Sequence, residues 1–181
     1  MTGAVYPDDV LQRAARIRLI GFDVDGTLTD GRLLYGTDGH EAKAFHVQDG
    51  MGLTLLREAG IELALVTART SPVVEHRGRE LQIGHVYTGE RGKLACMQRI
   101  AVGMGIGMDQ VAFMGDDLPD LAALRGVGLA IAPANAHPWV LAAAHWRAPR
   151  GGGEGAARDA CDLLLHAQGH IDAILAHGEH P

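Results

Sequence analysis

Two carboxylates, Asp23 and Asp25, stand two residues apart at the end of an apolar run, and Gly26 and Thr27 follow them directly. The apolar run predicts a buried strand, and the glycine predicts a tight turn where that strand ends. Because residues two apart in an extended segment share a face, both carboxylates can converge just beyond the strand's carboxyl end, where open α/β folds bind ligands. A turn without function is the simpler alternative, since Asp followed by Gly is common in loops.

The chemistry that this pair supports is nucleophilic attack with acid–base assistance beside a cation. Two carboxylates this close repel each other, so a cation, a shared proton or both must resolve the conflict. A hard cation on Asp23 would keep that carboxylate ionised as a nucleophile. Asp25, held further from the cation, could keep a proton and act as an acid.

Three later stretches carry further polar groups at strand ends or helix starts. Thr67 ends the apolar run Leu65–Val66, Lys93 begins a helical pattern, and 113–117 is an apolar strand that ends in Gly115-Asp116-Asp117. Together with Asp23-Val24-Asp25-Gly26-Thr27, they resemble, in order, the four motifs of the haloacid dehalogenase superfamily of phosphotransferases. Four matches in the right order, each at a predicted strand end or helix start, make the resemblance specific.

The resemblance implies that the substrate is a phosphate monoester and that Asp23 attacks phosphorus to give an aspartyl-phosphate intermediate. Asp25 would contact the substrate, protonate the leaving oxygen and then take a proton from the water that hydrolyses the intermediate. Thr67 would donate a hydrogen bond to the phosphoryl group, and Lys93 would bind the substrate and balance its charge.

The implied cofactor is Mg²⁺, held by the carboxylates of Asp23 and Asp116 and by the backbone carbonyl of Asp25. Two further acids follow in the fourth motif. Asp117 and Asp120 would either orient the lysine and the metal's waters or act as N-caps of the next helix, and the sequence leaves both readings open.

Alternating apolar strands and helical patterns predict a Rossmann-like three-layer α/β sandwich with a parallel sheet. The predicted strands are 17–24, 61–67, 85–87, 111–114, 128–132 and a short edge strand at Trp146. The predicted helices are 8–16, 49–60, 71–81, 92–102, 119–124, 138–144 and 156–165. Gly78 falls inside the third helix, where a glycine is destabilising and the sequence offers no reason for it.

We expect residues 1–181 to form a single domain with two special segments. Residues 32–47 predict a small β-hairpin flap beside the acids, too short for the cap domain that superfamily members often carry at this point. A C-terminal tail of about 150–181 begins with Gly151-Gly152-Gly153-Glu154-Gly155, which predicts a flexible link.

Composition narrows the possible functions. Hydrophobic residues make up 47% of the chain and charged residues 21%, so a globular protein is expected. The formal net charge of −6 and the lack of a dense basic cluster argue against nucleic acid as a partner. No apolar run is long enough to span a membrane and the N-terminus does not resemble a signal peptide, so a cytoplasmic protein is expected. Cys96 and Cys161 lie in helical apolar patterns and are expected to be buried thiols.

Almost the whole chain, from about 17 to 165, resembles a capless subgroup of the superfamily. That subgroup includes the 3-deoxy-D-manno-octulosonate 8-phosphate phosphatases of lipopolysaccharide biosynthesis. The matching stretches are Asp25–Gly31, Phe45–Gly52, Thr67–Arg69, Gly115–Asp117 and Gly151–Leu163. The resemblance implies hydrolysis of a phosphorylated sugar acid by a homotetramer in which the flaps form a barrel and a neighbouring subunit closes each site.

Residue by residue, the resemblance places Arg69 and Arg77 at the carboxylate of the sugar acid, and His46 and Thr54 in contact with the substrate. The best-known members carry Asn at position 46 and Arg at positions 48 and 54, where this chain has His46, Gln48 and Thr54. This loss of positive charge leaves a nine-carbon keto sugar acid 9-phosphate open as the substrate.

Two other classes of function compete with the phosphatase. A response-regulator-like phosphoacceptor also combines acids, Thr, Lys and Mg²⁺, but it lacks an acid two residues after the phosphorylated Asp, which Asp25 supplies here. A non-catalytic binding subunit that kept the fold is disfavoured because Asp23, Asp25, Lys93 and Asp116 are all present.

Overall fold

The computed structural model describes residues 6–177. The strands are, in chain order, β1 (Leu19–Phe22), β2 (Leu34–Tyr35), β3 (Glu41–Ala42), β4 (Glu62–Val66), β5 (His85–Tyr87), β6 (Val111–Met114), β7 (Leu129–Ala132) and β8 (Trp146–Arg147). The α-helices are α1 (Asp8–Ala14), α2 (Val47–Glu58), α3 (Pro72–Glu80), α4 (Lys93–Met104), α5 (Leu121–Gly126), α6 (Pro138–Leu141), α7 (Ala156–Ala167) and α8 (Ile171–His177). No helix within this range is both long enough and apolar enough to cross a bilayer.

Six strands form one parallel sheet in the order β5-β4-β1-β6-β7-β8. Successive residues of a strand face opposite layers. In β4, Leu63 and Leu65 join the core that contains residues of α1, α2 and α7, whereas Ala64 and Val66 join the core that contains residues of α4 and α5. The predicted three-layer α/β sandwich is therefore confirmed, and both faces of the sheet are covered by helices.

The strand order explains why distant motifs meet. β1 lies in the middle of the sheet, between β4 and β6, and each pair is parallel. The carboxyl ends of these three strands therefore lie side by side at one edge of the sheet. Asp23, Thr67 and Asp116 follow β1, β4 and β6 within two residues, so the topology gathers them at that edge.

The flap is the antiparallel hairpin β2–β3, in which Leu34 pairs with Ala42 and Tyr35 with Glu41. In the described chain this hairpin is the only strand structure between β1 and α2, in agreement with the prediction that there is no cap domain. Each strand of the hairpin is two residues long.

Gly78, unexplained by the sequence, lies where α3 packs against β5. A Cβ atom at this position would lie 2.5 Å from Cγ2 of Val86. The glycine therefore permits a close approach between helix and strand that a side chain would prevent, which offsets its weak helix propensity.

The glycine-rich segment is not the flexible link that the sequence predicted. Gly151 and Gly152 are buried, and the backbone N–H of Gly153 donates to the carbonyl of Thr27 at 3.2 Å. A Cβ atom on Gly152 would overlap the carbonyl of Gly26. Glycines in this segment allow the chain to lie directly on the loop after β1, so the segment buttresses the acidic turn.

Candidate active site

A cavity of about 330 Å³ opens at the carboxyl edge of β1, β4 and β6. This volume suits a small organic ligand. The predicted site residues that line it are Asp23, Asp25, Thr67, Arg69, Lys93 and Asp116. The structure therefore brings together six of the predicted residues, from four separate stretches of the chain, at the edge that the topology indicated.

The centre of the cavity is an ion-paired cluster around Lys93. Its Nζ atom lies 2.6 Å from Oδ1 of Asp23 and 2.5 Å from Oδ1 of Asp120, and the lysine side chain is only 3% exposed. Burial alone would lower the pKa of Lys93, but the charges of Asp23 and Asp120 outweigh it and raise the pKa. Lys93 is therefore an ammonium group whose position is fixed by two carboxylates.

The acids of this cluster are held against one another. Burial, followed by the charge of Asp120, raises the pKa of Asp23 to about 7, although Lys93 acts in the opposite direction. The same two causes raise the pKa of Asp116 to about 6. One ammonium group does not offset this concentration of negative charge, so a further cation between the carboxylates would be stabilised.

Local geometry directs the Asp116 carboxylate into the cluster. The hydroxyl of Thr27 donates to its Oδ1 atom at 3.1 Å. Gly26 has φ = +93°, and a Cβ atom there would overlap the carboxylate of Asp116. The glycine of the first motif is thus required both by the backbone conformation and by the space that Asp116 fills.

A divalent cation fits this cluster. Among the described residues, carboxylate oxygens of Asp23, Asp116 and Asp120 lie within 4.8 Å of one another. Asp120 is already engaged, because it accepts from Lys93 and from the backbone N–H groups of Asp116 and Asp117 at 3.0 and 3.2 Å. Asp23 and Asp116 therefore remain as the carboxylates that would hold a hard cation. The predicted part of the Asp25 carbonyl in metal binding stays a prediction.

Of the two roles considered for Asp117 and Asp120, helix capping and orientation of the lysine, the structure shows each in part. The carboxylate of Asp117 accepts from the N–H of Leu118 at 2.8 Å and caps the turn that follows. Asp120 completes that capping box and also contacts Lys93. Asp117 is thus a helix cap, whereas Asp120 combines capping with orientation of the lysine.

Thr67 and Arg69 extend the cavity along the end of β4. Thr67 is buried, and its hydroxyl oxygen accepts the N–H of Arg69 at 3.3 Å, so its own proton can be donated to a ligand. The side chain of Arg69 is 39% exposed, and its guanidinium group contacts Tyr35 and Glu41 of the flap. Both residues therefore line the cavity, and their contacts with a substrate stay predictions.

Two residues of the flap, Lys43 and Glu41, contact residues of the site and were not predicted from the sequence. The ammonium group of Lys43 contacts Oδ1 of Asp25 and lies 2.5 Å from Oε1 of Glu41, and the lysine side chain is 1% exposed. A signal existed, because Lys43 and Lys93 are the only two lysines of the chain, among 16 basic residues. The spacing of Glu41 and Lys43 also puts them on one face of an extended segment.

Three predicted substrate contacts lie elsewhere in the chain. His46 and Arg77 line a second, smaller cavity, where the Arg77 guanidinium lies 5.5 Å from the centre of the Phe45 ring. The hydroxyl of Thr54 donates to the carbonyl of Gly50 at 3.1 Å, within α2. Within one chain these three residues do not line the cavity that contains Asp23, and their contact with substrate stays a prediction.

Comparisons with known proteins assign this architecture. A haloacid dehalogenase-like hydrolase family model matches residues 85–155. The 3-deoxy-D-manno-octulosonate 8-phosphate phosphatase of Yersinia pestis is 42% identical over 165 residues, which cover 91% of this chain and 88% of that protein. The chain belongs to this phosphatase family of the haloacid dehalogenase superfamily.

Solved structures agree with the assignment to the haloacid dehalogenase superfamily. The phosphatase of Moraxella catarrhalis, in complex with magnesium, phosphate and KDO, has a TM-score of 0.93 and 40% identity, covering 96% of this chain and 100% of that one. A hypothetical protein from Xanthomonas campestris has a TM-score of 0.92 and 54% identity, covering 94% and 93%. Membership makes the chain a phosphoric monoester hydrolase, which decides against the phosphoacceptor and the non-catalytic subunit.

Proposed function

We propose that this phosphatase hydrolyses 3-deoxy-D-manno-octulosonate 8-phosphate to the free sugar acid and phosphate, in the cytoplasm and with Mg²⁺ as cofactor. The observation that carries the proposal is the buried carboxylate of Asp23, paired with Lys93 at 2.6 Å and adjacent to Asp116 in a cavity of about 330 Å³. The magnesium, phosphate and KDO bound by the Moraxella catarrhalis relative support the same choice of cofactor and ligand.

In the first step, an Asp23 oxygen attacks phosphorus and the ester P–O bond breaks, with the proton of Asp25 passing to the departing sugar oxygen. In the second step, Asp25 takes a proton from water, the water oxygen attacks phosphorus and the Asp23 O–P bond breaks, which releases phosphate. Lys93 offsets negative charge on the phosphoryl group and Thr67 donates a hydrogen bond to it. Bound Mg²⁺ would add charge neutralisation at the same oxygens, held by Asp23 and Asp116 with the carbonyl of Asp25.

A substrate panel tests this proposal. The protein is assayed with the eight-carbon sugar acid 8-phosphate, a nine-carbon keto sugar acid 9-phosphate, a neutral hexose phosphate and p-nitrophenyl phosphate, each with Mg²⁺ and after chelation. We expect the eight-carbon acid to give the highest kcat/KM and chelation to abolish turnover of every ester until Mg²⁺ is restored. A higher kcat/KM for the nine-carbon acid would replace the proposed substrate, and full activity after chelation would reject the cofactor.

We further propose that residues 1–181 form a single phosphatase domain. The protein is proposed to be a homotetramer that is assembled through the flaps. Leu33, Leu34 and Tyr35 of the flap are 43%, 57% and 60% exposed, an apolar group at the surface of the single chain. Such a group is typical of a surface that is covered by another protein. Light scattering coupled to gel filtration should give four times the chain mass, and a monomeric mass would reject the assembly.

Arg77→Ala is expected to raise KM for the sugar acid phosphate by about 10-fold or more, because a guanidinium bound to a carboxylate is worth more than one factor of ten. Hydrolysis of p-nitrophenyl phosphate, which has no carboxylate, should change much less. The matched control is Arg79→Ala, since Arg79 lies on the same helix and is exposed. Equal losses for both substrates would reject a role for Arg77 in recognition.

Because Arg77 and Asp23 line different cavities of one chain, Arg77 would have to serve the site of a neighbouring subunit. Mixing Asp23→Asn and Arg77→Ala chains, followed by subunit exchange, should then restore low-KM turnover of the sugar acid phosphate, because an intact Arg77 meets an intact Asp23 across the interface. The absence of restoration after verified exchange would place Arg77 outside the neighbour's site.

A further inference from the structure

A carboxylate of the protein itself, that of Glu41, lies between two cations, one of which, Arg69, lines the cavity. Oε1 of Glu41 lies 2.5 Å from Nζ of Lys43, and its Oε2 lies 3.4 Å from Nη2 of Arg69. The same Arg69 nitrogen donates to the hydroxyl of Tyr35 at 2.8 Å. The hairpin pairs Tyr35 with Glu41, so one face of the flap is directed at Arg69.

This arrangement is next to the position proposed for the phosphoryl group. Lys43 also contacts Oδ1 of Asp25, and Nε of Arg69 lies 3.9 Å from Oδ2 of Asp25. Asp25 and Arg69 both line the cavity that contains Asp23 and Lys93. A ligand whose phosphate lies at Asp23 therefore shares the cavity with Arg69, and Lys43 lies directly behind Asp25.

The cations require a carboxylate at this position. The Lys43 side chain is 1% exposed, and an ammonium group removed from water is costly unless it is paired. Glu41 is one of its two carboxylate partners, and Asp25 is the other. If Glu41 leaves, Lys43 keeps only Asp25 as a carboxylate partner and Arg69 loses the carboxylate nearest to it, so another anion at this position would be stabilised.

We propose that Glu41 occupies the place of the substrate's carboxylate, and that Lys43 with Arg69 forms the cation pair that selects a phosphorylated sugar acid over a neutral sugar phosphate. The inference rests on the proposed function and adds Lys43, together with the exchange of Glu41 for the substrate carboxylate, to the predicted contacts of Arg69 and Arg77 with the acid. A substrate carboxylate exchanges with Glu41, so both cations keep the carboxylate partner that Glu41 supplied. A neutral sugar cannot make this exchange, and Glu41 then keeps the flap over the site.

The test measures inhibition of p-nitrophenyl phosphate hydrolysis by two ligands, the free eight-carbon sugar acid and inorganic phosphate. Phosphate reports on the phosphoryl position alone, whereas the sugar acid reports on the cation pair. In Glu41→Gln the competing carboxylate is gone, so the ratio of the sugar-acid Ki to the phosphate Ki should fall by about 10-fold. In Lys43→Met the ratio should rise by a similar factor, and Lys43→Arg should restore it toward the wild-type value.

The control is Asp38→Asn, which makes the same change of charge in the turn of the flap. The Asp38 carboxylate is exposed and accepts the N–H of His40 at 3.1 Å, away from both cations, so this variant should leave the ratio unchanged. If the Glu41–Lys43 contact only fixes the flap, Glu41→Gln will alter both Ki values in parallel and leave their ratio constant, which overturns the inference.

The outcome is separable from that of the proposed function. p-Nitrophenyl phosphate needs no sugar recognition, so the assay runs even if the eight-carbon acid phosphate proves to be a poor substrate. Failure of the proposed substrate with a shift of the ratio in Glu41→Gln would leave the carboxylate site standing. No inhibition by the sugar acid in either wild type or Glu41→Gln would overturn it.

Discussion

Asp23→Asn should lower kcat for every phosphate ester by about 10⁴-fold or more, because the amide cannot act as the attacking oxygen of a covalent intermediate. The loss should appear in kcat rather than in KM, since the other groups that would bind the phosphoryl group, Lys93 and Thr67, are unchanged. The measurement is steady-state hydrolysis of p-nitrophenyl phosphate with Mg²⁺, together with acid-quench detection of a phosphorylated protein in the wild type only. Residual turnover near the wild-type level would remove Asp23 as the nucleophile.

The fold of this variant should remain intact. Asp23 is a buried carboxylate repelled by Asp120, so the neutral amide relieves repulsion, and Lys93 keeps Asp120 as a partner. The melting temperature measured without metal should therefore not fall. Asp9→Asn, in the exposed first turn of α1, makes the same substitution outside the cavity and should retain full activity.

Lys93→Met should affect both activity and stability. Loss of a cation that stabilises the transferred phosphoryl group should lower kcat by about 10²- to 10³-fold. Removing one partner of a buried ion pair typically costs about 3–5 kcal/mol, which corresponds to a decrease in Tm on the order of 10 °C for a chain of this size. Lys93 bridges Asp23 and Asp120, so its removal leaves both carboxylates without their shared cation.

The loss of stability in Lys93→Met should depend on pH in a defined direction. The pKa of Asp23 is raised by burial to about 7, so the native state binds more protons at this group than the unfolded chain does. Stability contributed by such a group falls as pH rises from the unfolded pKa toward the folded one. Calorimetry in chelator should therefore show a smaller decrease in Tm at pH 5 than at pH 8. A decrease that is larger at pH 5 would contradict this account of the cluster.

A second control separates charge from packing. Leu94→Met introduces methionine at the next position of α4. Leu94 is a partly buried apolar side chain outside the ion pairs. It should cost little and show no comparable dependence on pH, because volume-conserving changes in a core are usually tolerated. If both variants behaved alike, the effect of Lys93→Met would be one of packing.

Much of the centre of the site could be predicted from local patterns. Asp23, Thr67 and Asp116 each end an apolar strand, and parallel strands joined by helices carry their carboxyl ends to one edge. Both steps use information contained in short segments of the chain, namely a period of two residues and the alternation of strands with helices. The family resemblance then supplied the roles expected of these residues, which stay predictions until the variants are measured.

The amino-acid sequence by itself thus determined the α/β class, the strand ends that carry the acids and the small flap, because hydrophobic period and turn residues act over a few positions. Only the tertiary structure decided which side chains meet across the chain. It placed the flap's Lys43 on Asp25, fitted Gly78 against Val86 and packed Gly152 against the acidic turn. Such contacts depend on distances between segments far apart in sequence, where a shift of an ångström separates an ion pair or creates a clash, and no local pattern encodes them.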